Sequence, residues 1–203
     1  YFLSKSTLSY TNKETSRGLF SIINYSMRNP HAIFSAPFFI EPIDLDKVTL
    51  VSDDGDTPFY HSFLSGIKTS MGEDTFTGDS YVYVKGLIKE CIGQFLPDDF
   101  SIGQVWRNRY TEADWQDPHI HSGAQWSFII YETVKCSKTV FMNPSRKVIM
   151  NQWAMYGHVI PMDFMPQVPS GNIVIFPSWI EHFVTNGNEG TTIAGNVYLT
   201  EPP

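Results

Sequence analysis

Apolar positions in the first 50 residues come in short clusters rather than in one sustained period. Residues 1 to 30 are rich in Ser, Thr and Asn around a single patch, Leu19-Phe20-Ser21-Ile22-Ile23, which predicts an arm or short helix lying on the domain. From Ala32 to Leu50 apolar runs alternate with prolines. That pattern suits short edge strands, because proline has no N–H for an inner ladder. Ser52 to Asp56 (SDDGD) reads as a turn. The one helical period follows. Val84, Leu87, Ile88, Cys91, Ile92 and Phe95 recur at helical spacing, Thr77 or Asp79 stands at the start and Pro97 follows the end. The pattern predicts a bracing helix over 77–96, packed against a sheet and carrying no chemistry of its own.

Beyond Asp99 the texture changes to short apolar runs separated by turns. Strands are expected at Ser101–Tyr110, His119–His121, Gln125–Val134, Thr139–Met142, Asn172–Phe176, His182–Thr185 and Thr191–Leu199. The punctuation is Asp117-Pro118, Asn143-Pro144, Pro169-Ser170-Gly171 and Asn186-Gly187-Asn188. Many short, regularly spaced strands predict a sandwich or barrel, and a jelly roll brings residues of different strands to one open mouth. The expected organisation is a single, mainly β domain over 1–203: an N-terminal arm and edge strands (1–50), the bracing helix (77–96) and a jelly-roll core (101–199).

Composition narrows the function classes. Hydrophobic residues make up 42% of the 203 positions, enough for one full core. A formal charge of −7 argues against a broad phosphate-tracking surface, so no nucleic-acid partner is evident. No apolar run is long enough to span a membrane. Cys91 and Cys136 are too few for a disulfide framework and read as buried free thiols of a reducing, cytoplasmic compartment. Ser127 lacks a nucleophile-elbow context, and no glycine-rich phosphate loop is present.

The concentrated chemistry is histidine. His119 and His121 are one residue apart, so on an extended strand both leave one face, and His182 ends a second strand-like run. Three imidazoles from two strands predict a site for a divalent first-row metal. His31, His61 and His158 lie in unpatterned surroundings and are not expected to be ligands. Trp106, Trp126, Tyr131, Phe176 and Trp179 are candidates for an apolar lining, against the plainer alternative that each is core.

The runs Trp106-Arg107-Asn108-Arg109-Tyr110, His119-Ile120-His121, Trp126 to Tyr131, Gly171 to His182 and Ile193-Ala194-Gly195-Asn196 resemble 2-oxoglutarate and iron(II)-dependent oxygenases, more narrowly a bacterial and phage group of that superfamily. The resemblance covers about residues 101–199, and Phe-Pro-Ser-Trp-x-x-His is its most specific piece. It implies a double-stranded β-helix, cupin-like, and a hydroxylase-type reaction using Fe(II) and 2-oxoglutarate on a small-molecule or peptidyl substrate. His119 and His182 take the positions of the two histidine ligands. His121 stands where the superfamily usually has a carboxylate, and Asp117, Glu132 and Glu181 lack the one-residue spacing to replace it.

A second departure concerns the co-substrate. The Arg that often binds the distal carboxylate of 2-oxoglutarate aligns with Gly190, and no Lys or Arg follows Lys147. The resemblance then directs the anchoring role to Lys135 or Lys138, with Arg107 and Arg109 behind them and Tyr131 and Asn196 as further contacts. Two alternatives stand beside the oxygenase: a three-histidine cupin-type dioxygenase, and a jelly-roll binding or structural protein without turnover.

Overall fold

A computed structural model describes residues 35–52, 60–61, 67–71, 74–96, 99–153, 155 and 161–199. Residues 1–34, including His31, residues 156–160, including His158, and most of the 52–56 turn lie outside the described residues, as do the side chains of His61 and Cys136. From Ala36 onward the chain clusters as one compact unit. Its strands are β1 (Phe39–Pro42), β2 (Tyr60–His61), β3 (Lys68–Thr69), β4 (Ser101–Tyr110), β5 (Gln116–His119), β6 (Trp126–Cys136), β7 (Thr139–Met142), β8 (Asp163–Phe164), β9 (Asn172–Pro177), β10 (His182–Val184) and β11 (Glu189–Tyr198). The helices are α1 (Gly78–Ile92) and α2 (Arg146–Trp153).

The strands form two antiparallel sheets. Seven take the order β1-β9-β6-β11-β4-β3-β2, and four take the order β5-β10-β7-β8. This is the double-stranded β-helix expected from the sequence. The strand period of two gives the larger sheet two buried faces. Phe128 and Ile130 of β6, Ile173 and Ile175 of β9, and Ile193 and Val197 of β11 join one core cluster with Val84, Ile88 and Ile92 of α1. Their neighbours Ile129, Tyr131, Val174 and Phe176 turn the other way and join Phe141 of the smaller sheet. Each fully buried aliphatic or aromatic side chain contributes roughly 1.5–3 kcal/mol.

Helix α1 braces the sheet as its period predicts. Ser80, Val84, Ile88 and Ile92 repeat every fourth residue and are its buried side. Thr77 holds the N-cap position, but its hydroxyl donates to Ser80 Oγ (2.9 Å) rather than accepting from the helix backbone. Ser80 Oγ also accepts the Thr49 N–H (2.8 Å), which ties the helix start to the preceding segment. Close approach in the sheet requires a glycine at position 195. A Cβ there would lie 2.3 Å from Phe128 Cζ.

Two elements depart from expectation. Strand β5 spans Gln116–His119 and ends before His121, because the His121 N–H donates instead to Ser178 O (3.2 Å) in the turn after β9. Helix α2 follows Asn143-Pro144, which the sequence marks only as a turn. The Asn143 carbonyl and side-chain oxygens accept from Arg146 N (2.8 Å) and Ser145 N (2.9 Å), and so start the helix.

Candidate metal centre

Adjacent strands of the smaller sheet bring two histidines face to face. His119 closes β5, His182 opens β10, and the two are directly paired in the antiparallel register. Their ring centroids are 4.3 Å apart. His121, two residues past His119, places its ring 5.4 Å from His119 and 5.1 Å from His182. Ile120 between them faces solvent, so the alternation survives the end of the strand. One nitrogen from each ring lies within 4.8 Å of the others. An ion bound at about 2.0–2.1 Å from each nitrogen would draw the three slightly closer.

Hydrogen bonding fixes which nitrogens face inward. His119 Nδ1 is 2.7 Å from the Asp117 carbonyl oxygen, and His182 Nδ1 is 3.0 Å from that of Ile180. A carbonyl only accepts, so both Nδ1 atoms carry the proton and both Nε2 atoms keep a free lone pair. His121 Nδ1 is held by Asn196 Oδ1. That amide is itself oriented, since Asn196 Nδ2 donates to Gln104 Oε1 (2.9 Å) and Ser127 Oγ donates to Asn196 Oδ1 (3.1 Å). Ser127 in turn shares a hydrogen bond of 2.8 Å with Ser178. Outer partners of this kind set ring orientation and ligand basicity in metal sites.

Gln104 reaches Asn196 through a bulge. Ala194 and Asn196 of β11 pair with Trp106 and Gly103 of β4, so one β11 residue opposes two on β4. Gln104 occupies the bulge with φ of 50°, the only positive φ among the described non-glycine residues.

Burial governs the charge. Removal from water pushes all three imidazoles below the ordinary histidine range, His121 to about 4 and His182 well below its usual value. Neutral imidazole is the form that binds a metal. Trp106 packs 5.4 Å from the His121 ring, while Phe176 stands edge-on to His182 at 4.9 Å. The narrow cleft that opens beside the histidines is also walled by Asn108, Tyr110, Gln116, Thr139 and Thr192.

Several expected site residues are placed elsewhere. Lys135 is exposed at the far end of β6, its Nζ 2.9 Å from Glu189 Oε2. Lys138 does not line the cleft; its backbone N–H donates to Asn188 Oδ1 (3.2 Å). Neither lysine is brought to the mouth. Arg107 points to the opposite face of β4 and grips Glu132 through two bonds of 2.7 and 2.8 Å. Glu132 is thereby removed as a ligand candidate, and Arg109 is exposed. Asn196 supports His121 from behind rather than facing the cleft, and the Tyr131 hydroxyl is spent on Thr139 Oγ1 at 3.0 Å. Trp126 belongs to the helix-side core and Trp179 is 56% exposed, so of the five aromatics only Trp106 and Phe176 touch the histidines. Gly190, in the usual arginine position, has φ of 139°, and a Cβ there would sit 1.7 Å from the Thr133 carbonyl oxygen. The backbone itself bars a side chain at that point.

Asn108, Tyr110 and Thr192 went unremarked as site residues in the sequence. Their signal was there: Trp106, Asn108 and Tyr110 alternate along one predicted strand and so share a face.

A jelly roll with three neutral imidazoles converging at its mouth defines a metal-site class, and comparison with known proteins narrows it. Residues 104–199 match the family described as "Putative 2OG-Fe(II) oxygenase". Over these residues, just under half of the chain, it is similar to the 2-oxoglutarate and iron(II)-dependent oxygenases. Similar solved structures include an oxidoreductase of the 2OG-Fe(II) oxygenase family from Burkholderia pseudomallei, at 11% identity over 67% of this chain and 69% of that one, TM-score 0.47. A Pseudomonas putida prolyl-4-hydroxylase is 14% identical over 69% and 76%, TM-score 0.46. HygX from Streptomyces hygroscopicus, with nickel and 2-oxoglutarate bound, is 11% identical over 82% and 84%, TM-score 0.46. Among curated proteins none matches.

Proposed function

We propose that this chain is a hydroxylase-type oxygenase in which His119, His121 and His182 together hold iron(II) and 2-oxoglutarate is the co-substrate. The observation that carries the reading is the convergence of three imidazoles whose Nδ1 atoms are each hydrogen-bonded outward. Imidazole suits iron, and three protein ligands leave positions open for co-substrate and oxygen. When bound, iron(II) with 2-oxoglutarate supplies the oxidising chemistry, one oxygen atom going to the substrate and the other to succinate as carbon dioxide leaves.

The protein's own part is electrostatic and steric. Three neutral ligands leave the full +2 charge of the ion uncompensated, and no carboxylate or cation lines the cleft among the described residues. A dianionic 2-oxo acid neutralises such a site. His121 in place of a carboxylate removes one negative charge, and the vacant arginine position removes one positive charge. The two departures cancel, so the co-substrate meets the same total charge. Trp106, Phe141 and Phe176 keep the far side of the imidazoles dry, which limits side reactions of an oxidising centre.

A small-molecule or peptidyl substrate is part of the same proposal, in keeping with the prolyl-4-hydroxylase and HygX named above. So is a cytoplasmic setting, supported by the free, partly buried thiol of Cys91. The test is metal content of the purified protein, then succinate release on addition of 2-oxoglutarate with iron(II) and oxygen. Stoichiometric metal with no 2-oxoglutarate binding would sink the co-substrate assignment and favour a three-histidine, cupin-type dioxygenase. No metal at all would favour a binding or structural role.

A further inference from the structure

Asn108 is only 3% exposed, yet its Oδ1 has no hydrogen-bond partner. It stands on the wall of the histidine cleft, directly opposite Thr192 in the β4–β11 register. A buried amide oxygen without a partner is costly, and in a native cleft it points to a group that arrives from outside. A half turn about χ2 exchanges Oδ1 for the NH2 group, so Asn108 can present either a donor or an acceptor to that group.

The surroundings say which. Two residues along β4, about 6.8 Å, separate Asn108 from Trp106, whose ring packs on His121. The amide therefore lies further along the same face of β4, on the cleft wall shared with the imidazoles. Thr192 is also buried, and burial raises the pKa of the Tyr110 phenol, which stays protonated and donates to Gln116 Oε1 at 3.1 Å. The end of the cleft remote from His121 is therefore furnished with uncharged hydrogen-bonding groups.

We propose that Asn108, with Thr192 opposite it, is an uncharged anchor for the distal carboxylate of the 2-oxo acid. This rests on the oxygenase reading. It assigns to an amide and a hydroxyl the task that the sequence led one to seek in Lys135 or Lys138. It also uses the charge balance of the site: the ion already supplies the positive charge, so the remote end must supply direction and hydrogen bonds rather than more charge.

The test compares two ligands on the manganese(II)-loaded full chain by titration calorimetry: 2-oxoglutarate, and 2-oxobutanoate, which lacks the distal carboxylate. Asn108→Leu should weaken 2-oxoglutarate roughly ten- to a hundredfold, the effect of losing hydrogen bonds to a charged group. Binding of 2-oxobutanoate and of manganese should not change. The near-isosteric Asn108→Asp sets carboxylate against carboxylate and should abolish 2-oxoglutarate binding while sparing 2-oxobutanoate; it also keeps the test alive should the leucine variant fold poorly. Equal losses for both acids, or undiminished 2-oxoglutarate affinity in both variants, would overturn the anchor alone. A wild-type protein that binds manganese but neither acid would overturn the oxygenase reading, and the anchor with it.

Discussion

The two faces of the seven-stranded sheet are built from the same three strands and do different work. Toward α1 the sheet offers Phe128, Ile130, Ile173, Ile175, Ile193 and Val197, an unbroken apolar layer. Toward the smaller sheet the intervening positions include Ser127, Tyr131, Thr192 and Asn196, polar groups that are nearly as deeply buried. On the helix side burial is favourable in itself. On the site side it imposes a demand for partners, which Ser178, Thr139 and Gln104 meet for Ser127, Tyr131 and Asn196. A period of two thus separates what stabilises the protein from what equips it, residue by residue along one strand.

The comparison can be broken from the helix side first. Ile175 is fully buried against the α1 layer. Ile175→Ala should cost about 2–5 kcal/mol in denaturant unfolding through lost burial and a residual cavity. Metal affinity per folded molecule should stay unchanged. A large loss of metal binding in the folded fraction would mean that the two faces are not independent.

From the site side, His182→Ala should do the reverse. Removing one of the three proposed ligands should lower nickel(II) or manganese(II) affinity by more than the roughly 10–100-fold ascribed to outer partners. The unfolding midpoint of the metal-free protein should fall no further than in Ile175→Ala, because the loss is confined to the packing of the ring on Phe141 and Phe176 and its bond to the Ile180 carbonyl. Calorimetric titration with unfolding curves reads both quantities.

Asn196 sharpens the contrast, for it contributes to the site without touching the metal. Asn196→Leu leaves the His121 Nδ1 proton unpaired and frees the ring to turn. Metal affinity should fall about 10–100-fold. Asn196→Asp keeps the acceptor and should retain most of the affinity, with a shifted d–d spectrum in the cobalt(II) protein as ligand basicity rises. Equal losses in both variants would reduce Asn196 to packing.

How much of this the sequence revealed depends on whether an element obeys one period without interruption. Strands β4 and β7 have the boundaries expected from apolar runs between turns, and the α1 stripe follows from its four-residue spacing. The three histidines were legible because His-x-His needs only an extended backbone, which outlasts the end of β5. The bond from Asn196 to His121 was not legible because the two lie 75 residues apart in the chain. Gln104, the neighbour of Asn196, is aimed by a bulge with positive φ, for which no local residue pattern gives warning. The Asn108 face was implicit in the alternation, but an empty hydrogen-bonding position is visible only once the surrounding side chains are placed.

The lysines lie away from the cleft for a related reason, and they supply the smallest expected effect. Strand β6 pairs with β11 through two irregularities, between Glu189 and Gly190 and between Thr191 and Thr192. Each can reverse the face that simple alternation assigns beyond it. Past Tyr131 the inward sequence is therefore lost, and Lys135 emerges on the surface, paired with Glu189. A solvent-exposed pair of this kind has little energetic consequence. Lys135→Ala and Lys138→Ala should each leave manganese(II) affinity, 2-oxoglutarate affinity and unfolding midpoint within measurement error. A tenfold loss of 2-oxoglutarate affinity in either variant, with 2-oxobutanoate unaffected, would return the anchoring charge to the lysines. It would also show that the strand end moves inward when the co-substrate binds.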